Sequence, residues 1–356
     1  MKIGPVDYVF PANFVIRNAI NNMKPITLYT EVGVAPSDWK IDQDSKILTM
    51  GSCFAEVMGS QLGNYKFSVL NNPTGTVFNP LSICKILDSA LEARLPNPAL
   101  YFENSDKVWF HHDFHSSLWA RSKEELEKKL IHKLADIKSF LSKANVLVLT
   151  LGTAYAYRHK TTNTIIGNCH KLPAERFVKE LLHTDQITIP FEQLIHKLRS
   201  FRRDLRIVLT VSPVRHTKDT LQLNQVSKST LRLLCHRLSE KFVQITYFPA
   251  YEIMIDELRD YRFFKEDLIH PSTVAEEHIF RIFVENYVNP SAYAWMKEWA
   301  AIRQSMLHRP LYGNTESHYK LLLNLQQKLV KLAVTMDASE ELTDIERRIK
   351  EFPNVL

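Results

Sequence analysis

The chain of 356 residues is long enough for one large domain with a sizeable core and appended elements, and its 45% hydrophobic and 24% charged residues are an ordinary globular balance. The net charge of +6 is spread along the sequence with no basic block and no nucleic-acid-binding motif, which argues against nucleic acid as a partner and would suit an anionic substrate or donor. No run of about 18 apolar residues suggests a membrane span, and Cys53, Cys84, Cys169 and Cys235 lie far apart without CxxC spacing, so neither disulfides nor a zinc knuckle is indicated and a reduced, cytoplasmic setting is expected.

Residues 1–44 read as an irregular leader, because Pro5, Pro11, Pro25 and Pro36 interrupt any long helix. Five short apolar runs follow: Lys46–Met50, Phe67–Leu70, Val146–Thr150, Ile207–Val211 and Val243–Tyr247. Their continuous apolar character suits buried parallel strands. Segments with helical spacing separate them: Ala55–Leu62, Pro80–Ala93, Lys123–Ser142, Pro190–Ser200 and Leu221–Lys241. An insertion over 94–145 carries the aromatic- and His-rich stretch Tyr101–Trp119, and Thr273–Tyr287 reads as a helix closing the sheet. This alternation predicts an α/β domain over 45–288 built on a doubly wound sheet, a class that binds ligands at the carboxyl ends of its strands.

Residues 289–356 are expected to form a helical extension, with helices around Ala292–Leu307, Glu316–Met336 and Glu340–Phe352. In the middle one, Leu322, Leu325, Leu329, Leu332 and Met336 repeat at 3-4-3-4 spacing. Such a stripe serves either a hairpin packed on its own domain or a homodimer contact.

Two segments carry the chemistry. Met50-Gly51-Ser52-Cys53-Phe54-Ala55 reads as a strand ending in a sharp turn before a helix, a place that exposes a small nucleophile and sets it at a helix N-terminus. Ser52 and Cys53 compete for that role, and cysteine is intrinsically the better nucleophile. Alternatively the pair is a Ser helix cap followed by a buried cysteine. Some 200 residues later, in Asp267-Leu268-Ile269-His270-Pro271, a spacing of three lets the Asp267 carboxylate accept from one His270 ring nitrogen while the other faces a nucleophile.

Gly51-Ser52-Cys53-Phe54-Ala55 is word for word the signature of the GSCFA-domain proteins. The chain also resembles them in Asn72-Pro73-Thr74-Gly75-Thr76-Val77-Phe78-Asn79-Pro80, Leu151-Gly152-Thr153-Ala154, Asn168-Cys169-His170-Lys171, Ser212-Pro213-Val214-Arg215-His216 and Tyr247-Phe248-Pro249 through His270-Pro271-Ser272, over about residues 45–285. That family looks like a branch of the SGNH/GDSL esterase and acyltransferase superfamily, which implies a flavodoxin-like three-layer α/β/α fold with a five-stranded parallel sheet. The resemblance puts Cys53 in the nucleophile position and Ser52 where the superfamily has Asp. It also implies Gly75 as the oxyanion-hole glycine, and Asp267 and His270 as the closing Asp-x-x-His block. Its third block, Gly-x-Asn-Asp, is Gly152-Thr153-Ala154-Tyr155 here, so the Asn that would donate to the oxyanion is missing. Thr153, Asn79 or backbone amides are the candidate replacements; losing such a donor costs about 3–4 kcal/mol of transition-state stabilisation.

The expected function is hydrolysis or O-acyl transfer of an acyl group, acetyl first, on a small-molecule or glycan substrate through a nucleophile–His–Asp triad. No cofactor is expected, although an acyl-CoA would serve as donor in a transfer reaction. The rival is an SGNH-fold binding or scaffold protein without the chemistry. Three residues hold secondary roles. His170 is placed as a substrate-contacting or structural residue, since adjacent residues of an extended strand point to opposite faces, and Cys169 is the reserve nucleophile. Arg215 would either clamp a phosphate or carboxylate or pair with a structural Asp. His111, His112 and His115 could suggest a metal, but spacing alone does not make a site, and none is expected.

Overall fold

Continuous apolar runs with no polar alternation must be covered on both faces, and five of them line up as one parallel sheet. The computed structural model describes residues 30–308, 315–334 and 336–352. Its strands are β1 (Lys46–Gly51), β2 (Ser68–Asn71), β3 (Tyr101–Glu103), β4 (Trp109–His111), β5 (Val146–Leu151), β6 (Tyr155–His159), β7 (Thr164–Ile166), β8 (Phe177–Leu181), β9 (Arg206–Val211) and β10 (Ile245–Tyr247). The main sheet runs β10-β9-β5-β1-β2, every pair parallel. Counting only its own strands, that is the flavodoxin-like order 2-1-3-4-5, with the switch point between β1 and β5.

The helices are α1 (Cys53–Asn64), α2 (Pro80–Glu92), α3 (Lys123–Leu141), α4 (Thr184–Phe201), α5 (Thr220–Lys241), the single turn α6 (Ala250–Glu252), α7 (Thr273–Tyr287), α8 (Tyr293–Leu307), α9 (Glu316–Leu332) and α10 (Ser339–Lys350). One face of the sheet packs on α2, α3, α4 and α5 through Leu48, Met50, Leu147, Leu149, Ile207 and Leu209, which meet the buried leucines of those helices. The other face packs on α1 and α7 through Ile47, Val146, Val148, Val208, Phe54, Met58, Ile279 and Phe283. The result is a three-layer α/β/α sandwich.

The structure corrects the sequence expectation at two places. The fourth helix begins at Thr184, six residues before the expected Pro190, which lies inside it. Its first turn is fastened by the Gln186 side chain, whose Oε1 accepts from the His183 amide at 2.7 Å, so the helix starts ahead of the proline. The backbone bond that Pro190 cannot make would have gone to the carbonyl of Gln186, an exposed residue that water can reach. Second, β6, β7 and β8 form an antiparallel three-stranded sheet, and β3 pairs with β4, in regions where the apolar pattern predicts no strands. These strands have three to five residues and mix polar with apolar side chains, too little pattern to announce themselves.

Most of the expected leader, residues 1–29, lies outside the described residues, and with it Pro5, Pro11 and Pro25. From residue 30 to 45 the chain is irregular, fixed by an isolated parallel bridge between Ile41 and Val288. The leucine stripe of α9 turns inward. Leu322, Leu325, Leu329 and Leu332 are buried with Trp299 and Ile302 of α8 and Ile345 of α10, so this face is covered within the chain and a dimer contact through these helices would have to use their outer faces. The extension docks on the end of α1, where Trp299 Nε1 donates to the Asn64 carbonyl at 2.7 Å and Lys66 pairs with Glu341 at 2.7 Å. None of the described helices is long and apolar enough to cross a membrane. Truncating the centre of the stripe, Leu329→Ala, should cost about 2–5 kcal/mol in the unfolding transition that includes these helices. A urea midpoint unchanged from the parent would contradict the packing described.

Candidate active site

The end of β1 is shaped by a close backbone approach. Gly51 has φ +134°, and a Cβ added there would sit 2.1 Å from the Thr150 carbonyl oxygen of β5. Only glycine fits. Both its backbone groups are tied down by the segment after β2: its N–H donates to Asn72 Oδ1 at 3.1 Å and its carbonyl accepts from Val77 N at 2.8 Å. The next amide, Ser52 N, donates to Thr150 O at 3.0 Å, and α1 starts at once.

The two competing side chains are thereby separated. Ser52 is 1% exposed and caps α1, its Oγ accepting from the Phe54 amide. Cys53 is partly exposed in the first turn and lines a cleft of about 400 Å³. Burial raises its thiol above the ordinary value, opposed by the charge of Lys228 and by the Cys53 and Phe54 amides. The helix N-terminus therefore does not by itself make a thiolate.

The second segment is a tight turn and not a helical one. Leu268 takes a left-handed φ of +55°, and Lys265 N donates to His270 O at 2.8 Å, closing the turn. His270 Nδ1 lies 2.7 Å from Asp267 Oδ2, while Asp267 Oδ1 accepts from the Ile269 and His270 amides at 2.8 and 3.0 Å. These donors, the His270 amide first, hold the Asp267 carboxyl well below the usual carboxylate range. With Nδ1 donating to the carboxylate, the neutral ring carries its free lone pair on Nε2.

The structure brings the two segments to one place. Cys53 and His270 line the same cleft, between α1 on one side and the 265–271 turn with the start of α7 on the other. The cleft lies beyond the carboxyl end of β1, beside the switch point, where this sheet class binds ligands.

Other candidates are placed differently. The Gly75 amide donates to Asn72 O at 2.8 Å, inside the turn that fastens Gly51, so it is already engaged and not open to an oxyanion. Thr153 Oγ1 is 2.9 Å from Ser227 Oγ and accepts from the Tyr155 amide. Asn79 caps α2, accepting from Ser82 N at 2.9 Å with its amide group on Ser82 Oγ and Ile166 O. Neither side chain is free to replace the missing Asn. Arg215 pairs with no Asp among the described residues; its guanidinium lies 3.8 Å over the Phe264 ring and its amide donates to Ile269 O at 3.1 Å, bracing the His270 turn.

His170 is not in an extended strand: it and Lys171 have left-handed φ values of +52° and +59°. Its ring packs on Phe102 and Phe110, with Nδ1 on Ser116 Oγ and Nε2 on the His111 carbonyl, away from the cleft. Cys169 packs beside Leu100, Ile166 and Phe177, and burial pushes its thiol up to about 11. The ring nitrogens of His111 are taken by the Asn97 carbonyl and the Asp113 amide, and His112 Nδ1 by the Asn168 carbonyl. Burial lowers His111 to about 3, and His112 and His170 to about 4. Among the described residues no group of three or more His, Cys, Asp or Glu side chains is arranged to hold a metal ion.

One buried residue at the carboxyl end of the sheet escaped the sequence reading. Lys228 of α5 is 1% exposed, and its ammonium donates to Gly152 O at 2.8 Å and Ser212 O at 2.7 Å. The signal was present: the buried face of α5 runs Asn224, Ser227, Lys228, Leu231, Leu234, Cys235, Leu238, a helical stripe that turns polar at its N-terminal end. A lysine on such a stripe is buried only where it is paired or functional.

The model of the GSCFA family matches residues 46–283, about two thirds of the chain, and that of the GSCFA domain protein C-terminal domain matches residues 299–351. No curated protein matches the chain. Among solved structures, a Streptococcus pneumonia protein described provisionally as a platelet activating factor aligns at 12% identity over 68% of this chain and 84% of its own, with a TM-score of 0.35. A family 3 carbohydrate esterase from Talaromyces cellulolyticus aligns at 9% identity over 71% and 99%, TM-score 0.32. Another from Clostridium thermocellum aligns at 12% over 68% and 94%, TM-score 0.30.

The neutral histidines set a pH dependence. His111, His112 and His170 have folded values below the free imidazole value of 6.5, so on acidification the unfolded chain takes up their protons first. Their contribution to stability is complete above about pH 6.5 and is lost as pH falls toward about 4. The melting temperature should therefore drop between about pH 6.5 and 5, before most carboxylates titrate. A flat profile across that window would contradict neutral burial of the cluster.

Proposed function

Since the chain belongs to the GSCFA family, we propose that it is an SGNH-like enzyme that hydrolyses or transfers an acyl group, acetyl first, on a hydroxyl oxygen of a carbohydrate-like substrate. One observation carries this reading: Cys53 and His270 line one cleft at the carboxyl end of the sheet, and Asp267 occupies the far nitrogen of the His270 ring.

In this scheme His270 Nε2 takes the Cys53 thiol proton as the sulfur attacks the acyl carbonyl carbon. The raised thiol value makes that base necessary. Asp267, an anion throughout, stabilises the imidazolium. The tetrahedral intermediate expels the alcohol, which receives the proton from His270, and leaves a thioester on Cys53. Water or an acceptor hydroxyl, deprotonated by His270, then attacks the thioester carbon and Cys53 departs as thiolate, to be reprotonated. The Cys53 amide in the first turn of α1 is the backbone donor for the oxyanion. The walls of the cleft suit a hydroxyl-rich ligand: Glu56, Ser60, Gln61 and Glu276 offer hydrogen-bonding groups over the apolar Val57, Val214 and Pro271.

Mass spectrometry after exposure to p-nitrophenyl acetate, or to a mixture of acyl-CoA donors, tests the reading. An acyl adduct is expected on the peptide containing Gly51–Phe54, absent in Cys53→Ala. The His270→Ala variant should form it about 10²–10⁴-fold more slowly. No adduct, or equal slow labelling of all four cysteines, would overturn the enzyme reading and leave a binding or scaffold role.

A further inference from the structure

The third block of the SGNH superfamily pattern lacks its Asn here, Thr153 and Asn79 are committed elsewhere, and burial works against the Cys53 thiolate. Something must compensate for negative charge at the sulfur. We propose that Lys228 is the electrostatic partner of Cys53, a buried ammonium held across the end of the sheet so that its charge favours the thiolate. This rests on the reading of Cys53 as nucleophile and adds to it a residue that the triad scheme does not contain.

The placement follows from the sheet register. Gly51 of β1 lies opposite Thr150 of β5, and Leu151 of β5 opposite Val211 of β9. Gly152 and Ser212 are therefore level with each other, the first residues past the ends of β5 and β9, at the same end of the sheet where β1 gives way to Ser52 and Cys53. Neighbouring strands are about 4.8 Å apart. The two carbonyls that hold Lys228 Nζ belong to Gly152 and Ser212, so the ammonium sits at the carboxyl end of the sheet, at the strand next to β1, the end from which the chain enters α1 at Cys53. α1 and α5 cover opposite faces of the sheet, and the lysine reaches across its carboxyl end from the α5 side. An ammonium has three donors. Two are used, and the third has no hydrogen-bond acceptor among the described residues; the Tyr251 ring lies 5.6 Å from Nζ.

The rest of the loop is built to keep the two carbonyls in position. Gly152 and Thr153 amides both donate to Phe78 O, at 2.9 and 3.1 Å, Ser212 N donates to Leu151 O at 2.8 Å, and Ser227 Oγ accepts from the Ala154 amide at 2.8 Å. Burial lowers the Lys228 ammonium to about 7, and the interaction with Cys53 works in the opposite direction, favouring the charge. The other ionisable groups around the pair are few. Glu56 of α1 opposes the thiolate, Lys265 and Glu276 across the cleft pair with each other at 3.1 Å, His270 faces the sulfur's side of the cleft, and His216 is kept neutral by burial and by Lys228 itself.

The test reads the thiol and not turnover. Alkylation of Cys53 by iodoacetamide is followed by peptide mass spectrometry across pH in the full chain, with Cys84 and Cys235 silent because both are buried. In Lys228→Met the apparent thiol value should rise, making alkylation at about pH 6, below the Lys228 value and so with the ammonium charged in the parent, about tenfold slower or more, as for loss of an opposite charge. An unchanged profile in a folded Lys228→Met protein overturns the proposal. Should that variant not fold, His270→Ala decides, since the imidazole is gone and the exposed turn carries no core. There Cys53 should react with anionic iodoacetate faster, relative to neutral iodoacetamide, than a thiol in the denatured chain does. An equal or lower ratio overturns the inference. Cys53 that acylates normally while these thiol readouts fail would sink this inference alone; thiol readouts as expected without any acyl adduct would sink the enzyme reading and leave the charge pair.

Discussion

The close approach of Gly51 to Thr150 is the contact on which the candidate site depends. It brings the end of β1 so near β5 that no side chain fits, and the Ser52 amide then bonds to the same carbonyl oxygen that excludes a Cβ at Gly51. The chain must leave the sheet there and enter α1, which puts Ser52 in the cap and Cys53 in the first turn. A larger residue at 51 would have to push two hydrogen-bonded parallel strands apart. The cost would be the ladder itself and not one contact.

The other family motifs are, in physical terms, fasteners around that point. Asn72 and Val77 hold both backbone groups of Gly51, and Phe78 accepts from Gly152 and Thr153. Ser212 follows β9 at the same level and gives its carbonyl to Lys228. Arg215 stacks on Phe264 and bonds to the turn that carries His270. Segments scattered over 200 residues thus meet at the carboxyl end of the sheet. Most of them touch backbone, and their part is to hold it in place while Cys53 and His270 face the cleft.

Much of this architecture was legible in the chain. The apolar runs of β1, β5 and β9 are five or six residues long, buried on both faces, and announced themselves by composition. Their boundaries shifted by a residue. The strands of the second sheet did not show, because Tyr155–His159 and Phe177–Leu181 mix charged and apolar residues and owe their pairing to each other. Pro190 misled for a related reason: a proline is a sound stop signal in a helix interior, but one lost backbone bond on an exposed face is tolerated once Gln186 has fastened the turn before it. In the candidate site, Asp267 and His270 could be named from local spacing and Cys53 from its strand-to-helix turn together with the family resemblance, whereas Lys228 showed only as the polar N-terminal end of the otherwise apolar stripe of α5.

By itself, the sequence determined the order of the main-sheet strands and the helices between them, the α/β class, the glycine before the cap and the Asp-x-x-His spacing, since each is a local property of backbone sterics or of apolar periodicity. Only the tertiary structure decided that Cys53 and His270 share a cleft, that Ser52, Gly75, Thr153 and Asn79 have their polar groups engaged elsewhere, and that a lysine from the opposite face reaches the end of the sheet. The reason is that hydrogen-bond commitments and burial belong to pairs of groups far apart in the chain, and no residue carries in its own name the partner that folding will bring to it.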